Sequence, residues 1–358
     1  MTTDAVGGVW RYSVDLAAEL ACRGVEITMA TMGPRPSDTQ RDEVFSTPRL
    51  HLVESDYALE WMPGAWEDFE AAGRWLLDVQ SSFDPDIVHL NGYTHGCLPW
   101  NKPVAVVAHS CVYSWWRAVH GAPPDSEWVE YKWRVTRGLV AADAVISPSA
   151  HMAGELGREY GMNADNVRVI HNFTRAQASP TRRRQPFILA AGRMWDRAKN
   201  VELLDQIAPK LDWQVRIVGS IAGPESSIRN GQHASFVGPL PHPELMEHMS
   251  VAGIFAHPAL YEPFGLSVLE AARAACCLVL SDIPPMRELW EGAAIFVNPG
   301  EPESWICELN RLSRIPEERE SLGKLAQSHS MKYRARFSVM QYREVYESLV
   351  SSNAGVAA

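Results

Sequence analysis

Long apolar runs are missing from this chain of 358 residues. None reaches the roughly 18–20 residues that a membrane span needs, so no transmembrane segment is expected. No secretory leader is expected either, since Met1 is followed by Thr2, Thr3 and Asp4 instead of a basic and then an apolar stretch. The six cysteines, Cys22, Cys97, Cys111, Cys276, Cys277 and Cys307, show no C-x-x-C spacing. A reduced, cytoplasmic setting therefore fits better than a disulfide scaffold. Twelve histidines form no H-E-x-x-H pattern, so no metal site is indicated. Basic residues are outnumbered, 33 against 43 acidic, for a formal net charge of −10. That balance argues against nucleic-acid binding and leaves at most peripheral membrane contact.

The chain does have a 46% hydrophobic fraction, enough for real cores, and a length that favours two domains. Short apolar runs alternate with amphipathic stretches, which predicts parallel strands with crossover helices. In the first half the strands are read at 25–31, 87–90, 104–109, 144–147 and 167–170, and the helices at 9–23, 66–82, 128–142 and 150–160. The segment 174–186, with two prolines and Arg182 to Arg184 in a row, reads as an exposed linker whose arginines are solvated. A second series follows, with strands at 187–192, 214–219, 235–238, 253–258, 278–282 and 294–297. Helical patterns lie at 199–210, 242–250, 265–275, 303–313, 316–330 and 337–350. Two doubly wound domains are expected to present the carboxyl ends of their strands to a common cleft, where ligands of open α/β sheets sit.

Loops after strands are thus the places to look for chemistry. Glu262-Pro-Phe264-Gly265-Leu266 leads from one strand into an apolar helix that carries Glu270. A helix start opened by glycine lets phosphate approach free N–H groups. Glu270 could take a ribose diol and Glu262 the hydroxyls of a sugar; two surface carboxylates bracketing a helix would look the same. Gly192-Arg193 begins a turn that reaches Lys199. Its cations could stabilise a departing diphosphate, or simply be an exposed basic turn. Gly7 and Gly8 open the first helix without completing a G-x-G-x-x-G, and a tight turn explains them as well as a phosphate does. His109 ends a strand, where a structural role is the commoner one. Asp84-Pro85-Asp86 matches D-x-D, but it precedes a strand and reads as a turn. Trp115, Trp116, Trp128, Tyr131 and Trp133 could stack on sugars or pack a helix face.

Taken together these motifs resemble glycosyltransferase family 4, retaining enzymes of the GT-B fold: α/β, with two Rossmann-like doubly wound domains facing each other across a cleft. The resemblance covers nearly the whole chain. It rests on Glu262 and Glu270 with seven residues between, Arg193 and Lys199 with five between, and the stretch from Ser281 to Glu303. It implies an acceptor-side domain at 1–173, a donor-binding domain at 187–330, a linker at 174–186, and a C-terminal helix at about 331–352 that returns to the first domain. The apolar spacing of Val339, Tyr342, Val345, Tyr346 and Leu349 suits such a helix.

The resemblance also implies roles. Gly7 and Gly8 would touch donor phosphate, and His109 the donor sugar near the reacting carbon. Arg193 and Lys199 would hold the diphosphate, and Glu262 the sugar, with the backbone of Phe264, Gly265 and Leu266 close by. Glu270 would hold the ribose, and Gly219, Val237, Gly238 and Leu240 would surround the base. No cofactor and no metal are implied. The donor is a nucleotide sugar, uridine being slightly favoured over guanosine, and the acceptor a sugar or lipid-linked sugar, in polysaccharide or glycoconjugate synthesis. A catalytically inactive nucleotide-sugar-binding protein or partner subunit is the alternative, with a GT-B epimerase or phosphorylase behind it. The chain departs from the family at Phe173, and at Ala275 and Cys277, where members usually have glycine and proline. Met1 to Asp4 is short for a central first strand, so the expectation is a natural start further upstream.

Overall fold

A computed structural model describes residues 1–177, 183–220 and 233–356. The chain divides into a first unit, Met1–Phe173 with Ala335–Ala358, and a second unit, Thr174–Arg334. Part of the expected linker, residues 178–182 with Arg182, lies outside the described residues.

The first unit runs β1 (Thr2–Asp4), α1 (Gly8–Ala21), β2 (Ile27–Met32), α2 (Asp38–Phe45), β3 (Leu50–Glu54), α3 (Ala65–Phe83), β4 (Val88–Leu90), β5 (Val104–Val107), α4 (Val112–His120), α5 (Val129–Ala141), β6 (Ala144–Ser147), α6 (Ala150–Tyr160) and β7 (Val167–Val169). Its strands form two parallel sheets, β1-β2-β3 and β4-β5-β6-β7. The short first strand does not carry a ladder on both sides. It pairs with β2, Thr2 opposite Ala30, while Asn91, just past β4, reaches it by other means. Asn91 N–H donates to Thr2 Oγ1 at 2.9 Å and its Nδ2 donates to the Thr2 carbonyl at 2.8 Å. Side chains thus stitch the two sheets where a strand ladder was expected.

The second unit runs β8 (Gln185–Ala191), α7 (Val201–Ile207), β9 (Gln214–Val218), β10 (Ser235–Gly238), α8 (His242–Val251), β11 (Ala252–His257), α9 (Leu266–Arg273), β12 (Cys277–Ser281), α10 (Pro284–Trp290), β13 (Ile295–Val297), α11 (Pro302–Arg314) and α12 (Pro316–Ser330). One parallel sheet has the order β10-β9-β8-β11-β12-β13. Alternate residues face opposite layers, as strand geometry requires. Phe187, Leu189 and Ala191 enter one core with Phe255, Leu278 and Leu280. Ile188 and Ala190 enter the other with Ile217, Ile254 and Val279. The chain winds outward through β9 and β10, then restarts at β11 on the other side of β8. The loops after β8 and β11 therefore leave neighbouring strands at the switch point.

The last element, α13 (Ala335–Val356), belongs to the first unit, where Tyr342 is fully buried and meets Tyr12, hydroxyl to hydroxyl, at 2.7 Å.

Several elements were not read from the sequence. In α2 only Val44 is buried, so no apolar stripe marks it; its signal is the capping box of Ser37 and Gln40. The helix α4 was hidden inside the run of aromatics, and α10 is only seven residues long. Within the aromatic run Tyr131 is core, whereas Trp133 is exposed, so packing explains it in part. Arg184 is not the solvated residue expected. Its guanidinium donates to the carbonyls of Met249, Ser250, Ala252 and Ala274, which end α8 and α9. Helix ends offer such unsatisfied carbonyls, and a cation suits that end of the helix dipole. Thr174 and Ala176, placed in the linker by sequence, pack in the second unit.

Candidate active site

At the switch point of the second unit, the turn after β8 and the loop after β11 bring two charges together. Lys199 Nζ lies 2.6 Å from Glu262 Oε2. His257, at the end of β11, places Nε2 at 3.2 Å from the same oxygen. Burial raises the Glu262 carboxyl, but Lys199 and His257 outweigh it and hold it well below the ordinary carboxylate range. Glu262 is therefore an ionised acceptor. Both contacts fall on Oε2, and Oε1 has no partner among the described residues.

Asp196 organises the turn. It accepts Ala198 N–H at 3.0 Å and Arg193 Nη2 at 2.9 Å, and Arg193 also lies over the Trp195 ring. Asn200, in a left-handed conformation, donates to the carbonyls of Pro258 and Pro299. Ala198 accepts from Leu260 N–H at 2.8 Å. These bonds tie the two loops together and fix Lys199 against Glu262.

Gly265 has φ +84 and precedes α9, whose start has no side-chain cap and no acidic residue in its first turn. Phe264 anchors the loop, buried against Tyr333, while Leu266 begins the helix half-buried. Glu270 is buried on α9, and His242 Nε2 holds its Oε1 at 2.7 Å. Gly219 has φ +147, and a Cβ there would stand 1.7 Å from the Gly192 carbonyl oxygen. Its N–H donates to Gly238 O at 2.9 Å, so Gly192, Gly219 and Gly238 meet at the strand ends. Val237 is exposed and Leu240 packs on the core.

The first unit holds the other candidates. Gly7, φ +83, caps α1 without a side chain, and Gly8 begins the helix; both are exposed. His109 is half-buried, edge-on to Tyr12 at 4.4 Å, with Nε2 2.9 Å from Asn91 Oδ1. Burial lowers its pKa to about 3. Asp84 ends α3 and pairs with Lys102 at 2.8 Å, as a turn residue does. Asn91, His89, His242 and His257 were not singled out in the sequence. Each is a lone polar residue at or near an element's end, and the only signal was position after an apolar run. Among the described residues, no group of three His, Cys, Asp or Glu stands where it could hold a metal ion. No helix among them is long and apolar enough to cross a membrane.

Two family models match, Glycosyltransferase Family 4 over residues 6–177 and Glycosyl transferases group 1 over residues 173–329. The parallel sheets of the two units have the architecture of the GT-B fold, with its Rossmann-like domains. The chain belongs to glycosyltransferase family 4. It is similar to the D-inositol 3-phosphate glycosyltransferase of Corynebacterium diphtheriae, 23% identical over 95% of this chain and 89% of that one. It is 26% identical to the glycogen synthase of Mycobacterium tuberculosis, over 79% of this chain and 76% of that one. Among solved structures, the sucrose-phosphate synthase of Thermosynechococcus elongatus superposes with a TM-score of 0.77 at 18% identity, covering 98% of this chain and 99% of that one. Anabaena HepE, in complex with UDP-glucose, gives a TM-score of 0.72 at 14% identity, covering 97% of this chain and 99% of that one.

Proposed function

We propose that this glycosyltransferase is a retaining, metal-independent enzyme of the cytoplasm. It takes a sugar from a nucleotide-diphosphate sugar and passes it to a hydroxyl of a carbohydrate or lipid-linked sugar, in polysaccharide or glycoconjugate synthesis. The observation that carries this reading is the meeting of Lys199, Glu262 and the glycine-opened α9 at the switch point of the second unit.

The departing diphosphate gains charge as the glycosidic bond breaks. Arg193, Lys199 and the N–H groups at the start of α9 supply positive charge to it, most strongly in the transition state. Ionised Glu262 accepts sugar hydroxyls through Oε1, and it is too acidic to serve as a proton donor. Glu270 takes the ribose through its other oxygen, since His242 occupies Oε1. Gly219, Gly238 and their neighbours Val237 and Leu240 surround the base. The family resemblance gives His109, Gly7 and Gly8 as further donor contacts. The acceptor's proton passes to the departing phosphate on the same face, which keeps the anomeric configuration. The HepE complex with UDP-glucose supports uridine as the base.

Titration of UDP, GDP and ADP, followed by turnover of the matching sugars, tests the reading. UDP binding tightest, a product of unchanged anomeric configuration by NMR, and full activity in EDTA are expected. Inversion, or activity lost to EDTA and restored by Mg²⁺ or Mn²⁺, overturns it. Arg193→Ala and Lys199→Ala are each expected to weaken UDP binding roughly tenfold or more, since a charged hydrogen bond is worth about 1.5–3 kcal/mol. Wild-type affinity in both variants, read by titration calorimetry, rules out the phosphate clamp.

A further inference from the structure

One amide in the first unit fixes the protons of two histidines. Asn91 Nδ2 donates to the Thr2 carbonyl at 2.8 Å and to Ser13 Oγ at 3.0 Å. A backbone carbonyl only accepts, so the nitrogen of the amide, not its oxygen, faces Thr2. Asn91 Oδ1 is then the acceptor, and it stands 2.9 Å from His109 Nε2 and 3.1 Å from His89 Nε2. Both rings must bring an N–H to it. Burial holds each ring near pKa 3, so each is neutral at pH 7 and has a single proton. That proton is on Nε2, which leaves Nδ1 bare on both rings. His89 Nδ1 receives the Tyr346 hydroxyl of α13 at 2.6 Å. His109 Nδ1 has no partner among the described residues and is not among the buried unpartnered atoms.

We propose that Asn91 is a positioning residue that locks His109 in its Nε2–H tautomer, so that His109 offers a ligand an acceptor nitrogen and takes a sugar hydroxyl, not a phosphate or carboxylate oxygen. The hydroxyl half of this rests on the reading of His109 as a donor-sugar contact. The tautomer half rests only on the hydrogen bonds. Thr2, Asn91, His89 and Tyr346 form one relay, so the orientation of His109 is braced from both the first strand and the last helix. A histidine left free to rotate or to exchange tautomers would present a donor and an acceptor in turn, and the hydroxyl would be held in the wrong sense part of the time.

The test is a two-bond ¹H–¹⁵N spectrum of the full chain with labelled imidazole nitrogens, His109 being assigned by its loss in His109→Gln. The expected pattern at pH 7 is a neutral ring protonated on Nε2 and bare on Nδ1. A proton on Nδ1, or a charged ring, overturns the role of Asn91 whatever the activity. In Asn91→Leu the His109 pattern is expected to collapse to mixed tautomers; an unchanged pattern also overturns it. If that variant does not fold, the wild-type spectrum decides alone. With a working donor, Asn91→Leu is expected to lower kcat roughly tenfold to hundredfold, while the affinity for UDP, held in the second unit, stays the same. If the spectrum is as expected but His109→Gln transfers sugar at the wild-type rate, the sugar contact falls and the hydroxyl half with it.

Discussion

Lys199 and Glu262 are 63 residues apart in the chain and 2.6 Å apart in space. Removing the lysine leaves a buried carboxylate facing only His257. Truncating one partner of such a pair costs about 3–5 kcal/mol, so Lys199→Ala should lower the melting temperature as well as weaken UDP binding. Calorimetric scans of the variant check this, and an unchanged melting temperature would show the pair to be slack. The sign of the pH dependence follows from the depressed pKa of Glu262. Its contribution is fully present above the unfolded carboxyl value, about 4.3. It is lost as pH falls through the lower folded value. Wild type and Glu262→Gln should therefore differ in stability by a constant amount from pH 7 to about pH 5, and the difference should shift steadily in favour of the variant below about pH 4.3. A difference that stays flat down to pH 3 would refute an ionised Glu262. The pairing was not legible in the sequence. Arg193, Lys199, Glu262 and Glu270 could be named from spacing, but which charge meets which depends on β8 and β11 being neighbours.

At the scale of elements, the all-apolar strands were the most legible. In β11 all six residues are buried, as an inner parallel strand demands. Elements with one buried face or less were missed, as α2 and β3 were. The end of α9 shows what a departure from the family pattern does locally. Cys276 N–H reaches back to Ala271 O, and Ala275, between helix and β12, has φ +56. This is the left-handed stop that usually takes glycine. A side chain there costs about 1–2 kcal/mol, partly offset by the looser unfolded chain that glycine gives. Ala275→Gly is thus expected to stabilise the protein by about 0.5–1 kcal/mol. On the facing helix a Cβ at Gly323 would stand 2.3 Å from the Ala275 carbonyl oxygen, so Gly323→Ala is expected to destabilise. Urea denaturation of both variants decides; stability lowered by Ala275→Gly would mean that the strain is absent.

For the molecule as a whole, the first unit is made of two stretches of chain, with the second unit between them in sequence. The helix α13 completes it: Tyr342 bonds Tyr12, and Tyr346 bonds His89. Truncating a buried aromatic typically costs about 3–5 kcal/mol, so Tyr342→Ala should cost that much. A fragment of residues 1–173 should lack fixed tertiary structure, and a peptide of residues 335–358 should restore it. Near-ultraviolet circular dichroism, reporting the tryptophans of the first unit, reads both states. A fragment 1–173 with a native-like spectrum on its own would show α13 to be an accessory.

The same split connectivity sets an order of assembly during synthesis. Residues 1–173 leave the ribosome before Thr174–Arg334 is made, and α13 comes after both. At roughly 5–20 residues per second, the first unit waits on the order of ten seconds or more for its last helix. Through that interval Tyr12 and His89 have no hydroxyl partners from α13, and the surface that Val339 and Tyr342 will cover stays wet. The second unit, continuous in sequence, can close first. The nascent chain thus finishes its later half before its earlier one, and His89 Nδ1 gains its hydroxyl partner only when Tyr346, midway along α13, arrives.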